Sequence, residues 1–125
     1  MLKYLIRIVV AGLLLVPILP AHHSVSMYNL ETFVTIKGTV SKVEWTNPHV
    51  FIYVVAKNEA GGTDEWAVEL DSISLLRRYG WLKETVKVGD LITCTGGQAK
   101  TGAKVMRGTM VELANGQQLK VWSRV

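Results

Sequence analysis

From residue 33 onward the chain reads as short apolar-polar alternations cut by turn residues, the pattern of β-strands with one buried face. Val34, Ile36, Gly38 and Val40 share one phase, and Val43 and Trp45 fall on the other. That change of phase near Ser41-Lys42 predicts a β-bulge, and Gly38 a tight bend. Thr46-Asn47-Pro48 reads as a turn. Val50–Val55 is apolar on both phases and predicts a central second strand. Asn58-Glu59-Ala60-Gly61-Gly62 predicts a hairpin turn. Glu65–Leu70 is the third strand, with Trp66, Val68 and Leu70 inward and Glu65, Ala67 and Glu69 on a solvated face.

A single helix follows. Asp71 or Ser72 can cap it, Ile73, Leu75, Leu76 and Tyr79 recur three and four apart, and Gly80 can close it. Gly89-Asp90 is a turn, Leu91–Thr95 a fourth strand and Gly96–Gly102 a polar loop. Lys104–Leu113 is a fifth strand with Val105, Thr109, Val111 and Leu113 on one phase. Asn115-Gly116 opens a hairpin to a short sixth strand, Gln118–Trp122. The expected fold class is all-β: a small OB-fold-like barrel with one short helix between strands 3 and 4.

The residues ahead of this domain follow another rule. Lys3 and Arg7 precede an uncharged apolar run over residues 8–19, and Pro20 and Ala21 end it. A charged start, an apolar stretch and a small terminal residue describe a signal peptide over residues 1–21, leaving one domain over residues 22–125. The run is short of the roughly 20 residues of a membrane span, and no cysteine follows it to carry a lipid. The expected location is periplasmic or secreted, with no stable membrane anchor after cleavage.

Composition narrows the classes further. The formal charge is +4. Without Lys3 and Arg7, twelve basic residues face ten acidic ones. This mild, scattered excess predicts no nucleic-acid partner. Arg77-Arg78 are read as a solvated helix face. Cys94 has no second cysteine to pair with and alternates with Thr93 and Thr95, which predicts a buried thiol. Trp45 and Trp66 sit on apolar phases and read as core, Trp81 as a plug for one barrel end, and Trp122 as the most exposed of the four tryptophans.

Three histidines carry the candidate chemistry. His22 and His23 stand at the expected mature N-terminus, and His49 ends the Asn47-Pro48-His49 turn. Cleavage after Ala21 gives His22 a free amine that can chelate a metal together with its own ring nitrogen, and a further imidazole from His49 or His23 adds a third nitrogen. Nitrogen donors in a planar set favour copper. The bland alternative is a solvated N-terminus and a structural turn. A second candidate surface comprises the turn at 46–49 and the loop at 96–102, with Trp45, Asn47, Pro48 and Gln98 as contact residues for a non-metal small ligand or an exported protein partner. Glu65 and Glu69, four apart on a strand and so about 13 Å apart, are too distant for a glycosidase pair. No nucleophile elbow, phosphate loop or dinucleotide fingerprint occurs, so no enzyme is expected.

His22-His23-Ser24, Gly38-Thr39-Val40, Glu44-Trp45-Thr46-Asn47-Pro48-His49, Trp66-Ala67-Val68-Glu69, Gly80-Trp81 and Val88-Gly89-Asp90 occur in that order. Together they resemble a family of small secreted proteins of Gram-negative bacteria built on a domain of unknown function. The resemblance runs from His22 to about Lys120, and its most specific part is the run from Trp45 to His49. It implies export and a small β-barrel, and no activity. Val25 departs from the family pattern, in which an aromatic residue follows the His-His-Ser start.

Overall fold

A computed structural model describes residues 25–122. The expected signal peptide over residues 1–21 and the histidines at 22 and 23 lie outside them. A 3-10 turn, Val25–Met27, leads into β1 (Tyr28–Glu44), followed by β2 (Phe51–Lys57), β3 (Thr63–Glu69), α1 (Ile73–Arg78), β4 (Leu91–Ala99), β5 (Val105–Leu113) and β6 (Gln118–Lys120). β1 pairs antiparallel with both β2 and β4, β2 with β3, and β4 with β5. A short parallel pairing of β3 with β5 closes the ring, and β6 adds to β5. Five strands closed in the order β1-β2-β3-β5-β4, with a helix between β3 and β4, make an OB-fold. No helix among the described residues is long and apolar enough to cross a membrane.

The closure depends on a long first strand that serves two partners. Its register with β2 slips between Val40 and Lys42, where the phase change had placed a bulge. Gly38 lets β2 approach: a Cβ there would stand 2.2 Å from the Val55 carbonyl oxygen. Ile36 and Val40 then meet Ile52, Val54, Trp66, Val68, Leu70, Ile92, Met106 and Val111 in the core. Each fully buried aliphatic side chain of this kind stabilises the fold by about 1.5–3 kcal/mol. Ser72 caps the helix by accepting from Leu75 N, Leu76 enters the core, and Gly80 follows at φ +89°. Trp81 is buried and its Nε1 donates to the Lys120 carbonyl at 2.8 Å, which ties the helical end of the barrel to β6.

Three expectations are corrected. The first strand begins at Tyr28 and not at Phe33, after an irregularity between those residues. The expected loop at 96–102 is strand as far as Ala99. Gly96 and Gly97 do not loosen the chain there but admit neighbouring backbones, since a Cβ at either would lie 2.1 Å from the Arg107 oxygen or 2.2 Å from the Asn29 oxygen. β5 changes phase at a register shift opposite Thr95/Gly96, so Met106 and Gly108 are buried before it and Val111 after it, with Val105 only half-buried. Trp122 is half-buried, with the Arg107 guanidinium 5.4 Å from its ring centre.

Cys94 is buried, and burial pushes its thiol up to about 12. The thiolate is the reactive form. The native protein at pH 8 is therefore expected to resist iodoacetamide, with stoichiometric labelling appearing only in denaturant; labelling of the folded protein, read by mass spectrometry, would contradict this.

Candidate functional site

Glu69 occupies an outward position on β3, yet it is only 2% exposed. The sequence pattern had assigned it to a solvated face. What covers it is the beginning of β1. The chain at Asn29 passes directly over Gly97 of β4, where a side chain would collide with it. Met27 O accepts from Lys100 N at 2.9 Å, and Tyr28 pairs with Ala99. This N-terminal strap brings the Tyr28 hydroxyl onto Glu69 Oε2, to which it donates a short hydrogen bond.

The other carboxylate oxygen faces the first turn. His49 Nδ1 lies 2.5 Å from Glu69 Oε1. A carboxylate oxygen only accepts, so it is a proton on Nδ1 that this contact favours. Arg107, from β5, approaches the same oxygen at 3.5 Å and Asp71 Oδ2 at 3.7 Å, and donates to the Leu70 carbonyl at 2.5 Å. The second Asp71 oxygen accepts from Ser72 N at 2.8 Å. Glu69, Asp71 and Arg107 are all buried, with no buried side-chain polar atom left without a partner among the described residues. The parallel β3–β5 pairing makes the cluster, since it sets Glu69 opposite Arg107.

Burial, and next the bond to Glu69, raise the Tyr28 hydroxyl above the ordinary tyrosine range. It stays a neutral donor wherever the protein is folded. A tyrosine whose pKa is raised by folding contributes stability below its unfolded value of about 10 and loses it as pH climbs beyond. Urea unfolding above about pH 10 is accordingly expected to fall off less steeply for Tyr28→Phe than for the parent protein; parallel curves would contradict the assignment.

His49 is the outlet of this network. Its side chain is 29% exposed, and among the described residues its Nε2 has no hydrogen-bond partner. The other sequence-selected positions are occupied with structural work. Asn47, joined to Pro48 by a cis peptide, accepts from Ile73 N at 3.2 Å and so links the turn to the helix start. Pro48 is exposed and Trp45 packs half-buried against the core. Gln98 is not in a loop: it stands on β4 and donates to the Gly102 and Ala103 carbonyls, at 3.1 Å each. Among the described residues no three His, Cys, Asp or Glu side chains are grouped to hold a metal ion, so a metal at His49 requires ligands from outside them.

Sequence reasoning missed Tyr28, Glu69, Asp71 and Arg107. The available signal was Arg107 itself, a charge set between Met106 and Gly108 in the first half of β5.

Fold and site together define an OB-type barrel with a buried, carboxylate-centred network that ends in one accessible imidazole. The chain belongs to DUF6152, a family of unknown function whose model matches residues 15–109. Comparison with curated proteins finds no match. Among solved structures the chain is similar to the mitochondrial single-stranded DNA-binding protein Rim1 of S. cerevisiae. Identity is 14%, the alignment covers 73% of this chain and 97% of that one, and the TM-score is 0.49. The expectation that nucleic acid is no partner is withdrawn on this finding, because that neighbour is a single-stranded DNA-binding protein. At that identity and score the likeness assigns no DNA binding to this chain.

Proposed function

We propose that the mature domain is an exported barrel, periplasmic or secreted, that binds a transition metal through His49 Nε2 together with the histidines that precede the strap. The observation carrying this reading is the His49–Glu69 pair. A carboxylate holding one ring nitrogen fixes the tautomer and makes the other nitrogen a better metal donor, the usual outer arrangement of a metal-bound histidine. Residues 22–24 precede the Val25–Met27 turn, and three extended residues span about 10 Å. The strap that follows them carries Tyr28, whose hydroxyl shares the Glu69 carboxylate with His49. Copper suits the donors best: imidazoles and, after cleavage at Ala21, the amine of His22 are all nitrogen. We assign the site a binding role.

The test is titration of protein that begins at His22 with copper(II), followed by calorimetry and electron paramagnetic resonance. About one equivalent is expected to bind with a nitrogen-rich signature, and His49→Ala is expected to weaken binding by about tenfold or more. Absence of copper and zinc binding at micromolar metal, or full affinity in His49→Ala, overturns the reading.

A further inference from the structure

A cavity of about 590 Å³ opens at the far end of β2 from His49, between the β2–β3 hairpin and the β4–β5 connection, and it shares no residue with the Glu69 network. Trp66, Ile36 and Val34 supply its apolar lining. Trp66 and Ile36 are only 7% and 9% exposed and belong to the barrel core. Lys57 and Glu59 stand exposed at its lip and offset each other in charge. That size, with an apolar lining and a few polar groups, suits a small-molecule site.

The Lys104 ammonium already stands in it. Lys104 Nζ lies 3.4 Å from Asp64 Oδ2 and 5.1 Å from the centre of the Trp66 ring. Both partners are fixed without the lysine. Asp64 Oδ1 accepts from Asn58 Nδ2 at 3.2 Å, and Asn58 Oδ1 accepts from Gly62 N at 2.9 Å, so the hairpin holds the carboxylate. The core holds the indole. Lys104 is the movable member. Its carbonyl accepts from Ala67 N at 3.0 Å, which ties its backbone to β3, but its side chain is 49% exposed on a flexible four-carbon stem. An exposed ion pair and an exposed cation–π contact are each weak, so a soluble cation can displace this ammonium. A ring face beside one carboxylate favours a weakly hydrated organic cation, whereas calcium takes about six to eight oxygen donors.

We propose that this cavity binds a small alkylammonium ligand, whose nitrogen replaces the Lys104 ammonium between the Asp64 carboxylate and the Trp66 indole while its carbon chain lies on Val34 and Ile36. Lys104 is then a tethered competitor that covers the site when the ligand is absent. The site stands apart from His49, and neither reading depends on the other.

NMR titration of the protein beginning at His22 tests this. n-Butylammonium reproduces the lysine stem and its charge, and n-butanol the stem alone. At constant ionic strength, butylammonium is expected to give a saturable shift of the Trp66 indole N–H, and butanol and calcium(II) none at the same concentration. The Lys104 side-chain resonances of the parent protein are expected to move along the same binding curve; a Trp66 shift with Lys104 unmoved places the ligand elsewhere and overturns the proposal. Lys104→Met keeps an apolar stem and removes the competitor, and its affinity for butylammonium is expected to rise by about tenfold over the parent. Adding Asp64→Asn to that variant, which keeps the shape and removes the charge, is expected to reverse the gain. The proposal is also overturned by the absence of a saturable shift in folded Lys104→Met, by an equal response to butanol or calcium(II), or by full affinity after Asp64→Asn.

Discussion

Glu69→Ala is expected to destabilise the domain by about 3–5 kcal/mol, the range for removing one partner of a buried charge network. For a domain of this size that lowers Tm by about 15 °C or more. Three donors converge on this carboxylate, from Tyr28, His49 and Arg107. Truncation leaves the buried Tyr28 hydroxyl without its acceptor and Arg107 with Asp71 as its only buried counter-charge. Glu69→Gln separates shape from charge. Its carbonyl oxygen can still accept one of the two short bonds, and the expected loss is about 1–2 kcal/mol, close to that of a single hydrogen bond left incomplete. Calorimetry or urea unfolding of the two variants checks the order. Equal and small losses would mean that Glu69 is as dispensable as its solvated-face assignment implied.

That assignment failed for a reason that shows where sequence reading stops. The barrel was legible because its determinants are local. Alternation at Val34–Val40, the phase change at Ser41-Lys42 and the capped stretch from Ser72 to Gly80 each act through residues close in the chain. His49 was legible as a turn histidine on the same grounds. Glu69 was not, because alternation reports which side of a strand a residue faces and not whether another segment lies over that side. Its cover comes from Tyr28, 41 residues away, and its counter-charge from Arg107 through the parallel β3–β5 pairing. The same limit explains the loop assigned to Gly96–Gly102. Two consecutive glycines are a turn signal to local rules, whereas here they mark two close backbone approaches, one on each side of β4.

Gly97 therefore offers the sharpest separation of the strap from the barrel. Gly97→Val is expected to release the strap while leaving the five-stranded core closed. A valine Cβ would stand 2.2 Å from the Asn29 carbonyl oxygen, and the obstacle is backbone, which cannot rotate aside as a side chain can. Forcing such overlap typically costs about 1–3 kcal/mol, and the cheapest relief is for residues 25–32 to lift off. The barrel does not depend on them: Thr35, Ile36, Lys37, Gly38 and Thr39 keep their own pairing with β4, and the Val40–Asp90 backbone bond closes the far end. Amide exchange should separate the two regions. Protection is expected to vanish at Tyr28 and at Lys100, whose N–H donates to Met27, and to persist at Ile36, Ile52 and Val68. Lifting the strap also uncovers Glu69 and withdraws Tyr28 from it, so the variant should cleave early with protease between residues 25 and 33. Uniform loss of protection through the core would mean instead that the strap is part of the barrel's cooperative unit and not a separable cover over the His49–Glu69 pair.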